Sequence, residues 1–121
     1  MTIYLGGHGH GQAALCENET GMRPVPCTPQ QALTAPAIAD FHALVRRILT
    51  EGGDAQDFAR RLLRENPDAV LTCDEVGGGI VPLDPLERRW REETGRALGV
   101  LTADPGTRLV RVWYGIGEVI R

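Results

Sequence analysis

A three-layer α/β domain on a mostly parallel sheet is the fold class this sequence predicts, and three observations predict it. Two short apolar runs, Thr2-Ile3-Tyr4-Leu5 and Ala69-Val70-Leu71-Thr72-Cys73, each lead into a glycine-rich loop and then a helical stretch. Amphipathic helical stretches separate those runs, and such spacers carry right-handed crossovers between parallel strands. The chain then closes on two adjacent strand patterns, 108–114 and 119–120, which predict an antiparallel edge. The 121 residues suit one domain with a single modest core, so the whole of 1–121 is read as one unit.

Each element has a local justification. Thr2 to Leu5 is a buried strand, and a short helix is predicted over Gln12 to Cys16. Residues 18–33 carry Asn18, Gly21, Pro24, Pro26 and Pro29 and read as a long connection without regular helix. Thr34, with Pro36 in the first turn, predicts a helix whose apolar face is Ile38, Phe41, Leu44, Val45, Ile48 and Leu49, ended by Gly52-Gly53. His42 sits beside that face and reads as structural. Asp54 caps a further helix with Phe58, Leu62 and Leu63 inward, stopped by Asn66-Pro67. Residues 69–73 form a buried strand that holds Cys73. Asp84-Pro85-Leu86-Glu87 starts a helix whose inner face is Leu86, Trp90, Ala97, Leu98 and Leu101. On that helix Glu87 with Arg91, and Glu92 with Arg96, are spaced as i,i+4 pairs.

Composition bounds the function. A formal net charge of −3 gives no electrostatic reason to expect nucleic acid. No run approaches the roughly 20 apolar residues of a membrane span, and the N-terminus lacks the basic and long apolar regions of a signal peptide. Cys16, Cys27 and Cys73 are odd in number without CxxC spacing, which suits reduced thiols and a cytoplasmic location.

The chemistry is concentrated in the first loop. Gly6-Gly7-His8-Gly9-His10-Gly11-Gln12-Ala13 has the glycine spacing of a P-loop, whose backbone N–H groups wrap a phosphate at a helix N-terminus. The two positions after Gly11 should be Lys and then Ser or Thr. Here they are Gln12 and Ala13, and all 13 basic residues of the chain are arginine. The charge on the β/γ-phosphates and one magnesium ligand are therefore missing, while the backbone donors and the helix dipole remain. His8 and His10 are read as a metal pair, as a partial substitute for the lysine charge, or as exposed loop residues. Asp74-Glu75, after a buried strand, are read as magnesium ligands, as groups that orient an attacking atom, or as caps of the next turn. Gly77, Gly78 and Gly79 let the backbone approach a ligand. Of the arginines on the following helix, Arg88 and Arg91 are candidates for phosphate contact, against a reading in which most of that face is solvated. Ligands of such sheets sit at the carboxyl ends of the strands, so both glycine loops are expected to face one site.

The stretch Cys73-Asp74-Glu75-Val76-Gly77-Gly78-Gly79-Ile80-Val81-Pro82 resembles the "NEVGxGIVP" loop of the adenosylcobinamide kinase / adenosylcobinamide-phosphate guanylyltransferase family of cobalamin biosynthesis. Arg88-Arg89-Trp90-Arg91-Glu92 and Gly95-Arg96 resemble its "RRFRD…GR" helix, and the opening strand and loop resemble its "GGxxSGKS". The likeness covers the first 15 residues and about 50 at the C-terminus; nothing in 14–68 matches the segment that carries the family's guanylyl-accepting histidine. The resemblance implies a RecA-like P-loop fold, GTP or ATP with Mg2+ at Gly6 to Ala13, and a corrinoid substrate. It also implies phosphoryl transfer organised by Glu75 and Asp74 as catalytic and magnesium-holding residues. Phosphate or substrate contacts from Gly77, Gly79, Arg88 and Arg91 belong to the same expectation, as does a trimer with sites at its interfaces. Asp74 stands where the family has Asn.

Overall fold

The structure, a computed structural model, describes residues 1–77 and 79–121. Gly78, in the second glycine loop, lies outside the described residues.

β1 (Thr2–Gly6) pairs in parallel with β4 (Val70–Asp74) on one side and with β5 (Arg108–Trp113) on the other. Beyond β4 lie two short parallel strands, β3 (Ala37–Ala39) and then β2 (Val25–Pro26); beyond β5 lies the antiparallel edge β6 (Ile116–Val119). The sheet order is therefore β2-β3-β4-β1-β5-β6, an α/β fold with a mostly parallel sheet and the antiparallel C-terminal edge the sequence predicts. Trp113 pairs with Ile116 across a two-residue turn whose residues, Tyr114 and Gly115, both have positive φ. That is the type I′ geometry that suits strand twist.

Strand alternation separates two cores. Ile3, Ile38 and Leu71 point to the face covered by α3 (Phe41–Thr50), α4 (Ala55–Glu65) and α5 (Pro85–Ala103), whose Phe41, Val45, Leu62, Ala97 and Leu101 are buried there. Tyr4, Val110 and Val112 point to the other face, where α1 (Gln12–Thr20) packs through Cys16. Tyr4 is fully buried, and its hydroxyl donates to Glu19 at 2.8 Å. Burial, first, and that carboxylate hold its pKa well above the usual tyrosine range.

Several boundaries differ from the sequence reading, each for a physical reason. α1 runs four residues past Cys16, to Thr20, and stops where Gly21 turns left-handed and donates its N–H to Glu17 O. The connection over 18–33 holds β2 and a single helical turn, α2 (Pro29–Ala32), closed by a reciprocal Thr28–Gln31 capping box. No helix starts at Thr34. Pro36 O instead accepts from Val70 N at 3.1 Å, which draws 37–39 into the sheet as β3, with Ile38 opposite Leu71. The helix begins only after Asp40. Leu86 is exposed rather than inward, at the rim of a cavity it lines with Arg46, Leu49 and Thr50 of α3; Thr94, Ala97 and Leu101 are the buried positions. Glu87 meets Arg46 of α3 at 2.6 Å, while Arg96 lies 2.8 Å from Glu93 and only 4.0 Å from Glu92. The caps Asp54 and Asp84 form as expected, each accepting from first-turn N–H groups. No helix among the described residues is long and apolar enough to cross a membrane.

Candidate functional site

The carboxyl ends of β1, β3 and β4 carry the loop Gly7–Gly11, the residue pair Asp40 and His42, and Asp74. They surround a cavity of about 480 Å3 lined by His8, Gly9, Gly11, Gln12, Asp40 and Asp74 among others. Gly11, at φ 93°, has no side chain to cap α1, and Ala13 and Ala14 also line this cavity. The uncapped first-turn N–H groups of α1 therefore border it.

Gln12 is the centre of the loop. Its side chain is buried, and its amide Nε2 lies 2.8 Å from Gly6 O, 3.0 Å from Gly7 O, 3.4 Å from Cys73 O and 3.2 Å from Asp74 Oδ1. A neutral amide thus ties together carbonyls at the ends of two neighbouring strands. Two amide hydrogens serve four acceptors, so the donor is fully engaged.

The loop histidines go separate ways rather than forming a metal pair. His8, almost wholly solvent-exposed, places Nδ1 3.1 Å from Asp74 Oδ2. The His10 ring packs on Tyr114 with centroids 4.6 Å apart, and its carbonyl accepts from Gly115 N at 2.7 Å. His10 pins the glycine loop to the β5–β6 hairpin.

Asp40 and His42 enter the site from a segment the sequence places inside a helix. Asp40 is a non-glycine residue in the left-handed region, φ 55° and ψ 63°, a conformation that costs on the order of 1–3 kcal/mol. The buried hydroxyl of Thr72 holds it there by accepting from Asp40 N at 3.0 Å. His42, on α3, lines the cavity, with Nδ1 accepting from the backbone N–H of Asp74 at 3.0 Å and its ring 6.3 Å from that of Trp90. A strand-end carboxylate after Ala37-Ile38-Ala39 was the signal available for Asp40, the same one that marks Asp74 after β4.

One ligand atom each from Asp40, His42 and Asp74 lies within 4.8 Å of the others. The hydrogen bond to His42 decides what this group can hold. An Nδ1 that accepts a backbone N–H carries no proton, so the proton is on Nε2, and that nitrogen offers no lone pair to a metal. What remains are two carboxylates, a hard oxygen donor set that suits Mg2+ better than zinc.

Glu75 is not part of this group. Its N–H donates to Gly6 O at 2.8 Å, and its carboxylate turns toward Arg111, 4.0 Å away, into a second cavity of about 270 Å3 with Gly6, Gly7 and His10. The adjacent pair Asp74-Glu75 is thus split between the two sides of the glycine loop. Gly77, Gly79, Arg88 and Arg91 line a third cavity of about 160 Å3, and Arg91 Nη1 donates to Ile80 O at 3.0 Å. These four residues come together as the sequence suggests, but away from Gly6 to Ala13. Cys73 is buried, and burial pushes its thiol up to about 12.

No protein-family model matches the chain, and no curated protein matches it.

Proposed function

We propose that this is a nucleotide-binding protein of cobalamin biosynthesis related to adenosylcobinamide kinase, with a RecA-like P-loop fold. In this reading the 480 Å3 cavity takes Mg-GTP or Mg-ATP, and the γ-phosphoryl passes slowly to the aminopropanol hydroxyl of adenosylcobinamide. One observation carries it: a glycine loop, the uncapped N-terminus of α1 and two carboxylates converge on one cavity at the carboxyl ends of parallel strands. Asp40 and Asp74 would hold the ion, which would supply neutralisation of phosphate charge. The first-turn N–H groups of α1 would receive phosphate oxygens. Glu75, with Arg111, is left to meet the acceptor from the far side of the loop. Incubation with cobinamide and Mg-GTP or Mg-ATP is expected to give cobinamide phosphate, at a low rate, by mass spectrometry. No product at enzyme concentrations equal to substrate would remove the kinase reading.

Gln12 favours a second reading, in which the protein binds nucleotide or corrinoid without chemistry. Its amide is neutral and already committed to four acceptors, so nothing from that position compensates transition-state charge. Calorimetric binding without turnover supports this reading; absence of binding by either ligand defeats both. Guanylyl transfer is outside the proposal, because nothing in 14–68 matches the segment that carries the family's guanylyl-accepting histidine.

A cytoplasmic homo-oligomer, a trimer by the resemblance, completes the proposal. Ile80, Val81, Leu83 and Leu86, and Trp113, Tyr114 and Ile116, are large apolar side chains left exposed in the single chain, and a subunit interface would cover such residues. Light scattering is expected to give about three times the 13.2 kDa chain mass; a monomer at micromolar concentration counts against the assembly.

A further inference from the structure

The residue this fold adds to the cavity without any sequence signal is His42, and its hydrogen bonding says what it is for. Nδ1 is fixed as an acceptor by the N–H of Asp74 at 3.0 Å. The proton therefore resides on Nε2. The backbone of His42 is held as well, since Trp90 Nε1 donates to His42 O at 2.8 Å. The residue is thus held through its ring and its backbone, and His42 lines the 480 Å3 cavity. The Nε2–H donor has no partner among the described residues. Asp74 Oδ2 lies 3.6 Å from it, beyond hydrogen-bond distance, and Oδ2 is also 3.1 Å from His8 Nδ1. The His42 side chain is only 15 % exposed. The ring nitrogen is therefore a donor at the cavity wall that no hydrogen bond among the described residues engages, and it is available to a ligand acceptor.

We propose that His42 Nε2–H is a phosphate-oxygen donor of this cavity, binding an oxygen of a magnesium-bound polyphosphate opposite the α1 N-terminus. The inference rests on the nucleotide reading above and assigns one of its contacts. A hydrogen bond to an anionic oxygen is worth about tenfold or more in affinity. His42 is a binding residue here, neither a metal ligand nor a base, because the lone pair either role needs is spent on Asp74 N–H.

Two measurements test it separately. In protein labelled with 15N at its imidazoles, the two-bond nitrogen–proton spectrum is expected to show His42 protonated at Nε2 and bare at Nδ1. A proton on Nδ1 overturns the proposal whatever the ligand does. Binding is then followed by calorimetry with inorganic tripolyphosphate and Mg2+, using His42→Asn and His42→Gln. Asparagine can keep an acceptor near the Nδ1 position but loses the far donor; glutamine can place an N–H near the Nε2 position. The expected result is about tenfold weaker binding for His42→Asn and near wild-type binding for His42→Gln. Equal affinity in all three proteins, or equal loss in both variants, overturns the role of Nε2 while leaving the phosphate site standing. No uptake of tripolyphosphate by the wild type removes the phosphate site and this contact together.

Discussion

Gln12→Lys is expected to tighten the binding of Mg-GTP or Mg-ATP by about 10- to 100-fold, since a hydrogen bond to a charged group is worth roughly 1.5–3 kcal/mol. The position is prepared for the exchange. Gln12 Nε2 already sits among Gly6 O, Gly7 O, Cys73 O and Asp74 Oδ1 at 2.8 to 3.4 Å. An ammonium brings three donors where the amide brings two, and it places its charge beside the Asp74 carboxylate. The ligand-free fold should therefore accept lysine with little change in stability. When phosphate enters, the ammonium can turn from the carbonyls to the β/γ-oxygens, which a neutral amide does only weakly. Calorimetry at fixed Mg2+ checks the affinity. A folded Gln12→Lys protein that binds no tighter than wild type would mean that the loop is a strand-to-helix turn and no phosphate cradle. Gln12→Ala supplies the opposite control. It removes the donor shared by Gly6 O, Gly7 O, Cys73 O and Asp74 Oδ1 and is expected to cost about 1–3 kcal/mol of stability.

How far this site could be read from the chain follows from the range of the forces that build it. The glycine loop, α4 with its Asp54 cap, β4, and α5 with its Asp84-Pro85 start were legible because each is specified by neighbours within one or two turns. β3 was not legible. Thr34, Pro36 and the apolar spacing from Ile38 onward satisfy a local helix rule, and what overrides it is non-local: the bond from Val70 N to Pro36 O and the pairing of Ile38 with Leu71. Losing β3 hid Asp40 and His42 with it, since both owe their place at the cavity to the strand's end. Gln12 was legible as a departure from the lysine pattern but not as a hub. Its acceptors come from residues 6, 7, 73 and 74, and no reading of spacing brings those four together. The division of Asp74 from Glu75 has the same origin. Alternation along an extended chain sends adjacent side chains to opposite sides, and the Glu75 N–H bond to Gly6 O carries that arrangement one residue past β4.

Gly6→Ala is expected to be the most destabilising single-methyl change in the loop, at about 3 kcal/mol, the upper part of the usual overpacking range, with a melting temperature lower by on the order of 10 °C. A Cβ at Gly6 would lie 2.3 Å from Val112 O and 3.2 Å from Val112 C. Those atoms belong to β5, in register with Gly6 itself, so no side-chain rotation can make room. On the other flank Gly6 pairs with Asp74, and its carbonyl receives both Glu75 N and Gln12 Nε2 at 2.8 Å. The residue is held between two strands, and relief must come from parting β1 and β5 near the cavity. Gly9→Ala is the matched comparison. Its Cβ would meet nothing within 4 Å, and only the left-handed φ of 75° opposes it, a cost of roughly 1–2 kcal/mol. Thermal melts should therefore rank wild type above Gly9→Ala above Gly6→Ala. The functional consequence differs in the same order. Parting β1 from β5 moves Gly6 O and Gly7 O away from the Gln12 amide, so Gly6→Ala should lose nucleotide even at temperatures where it remains folded. If Gly6→Ala melts no lower than Gly9→Ala, the close approach of β1 to Val112 is wrong, and the geometry assigned to the loop goes with it.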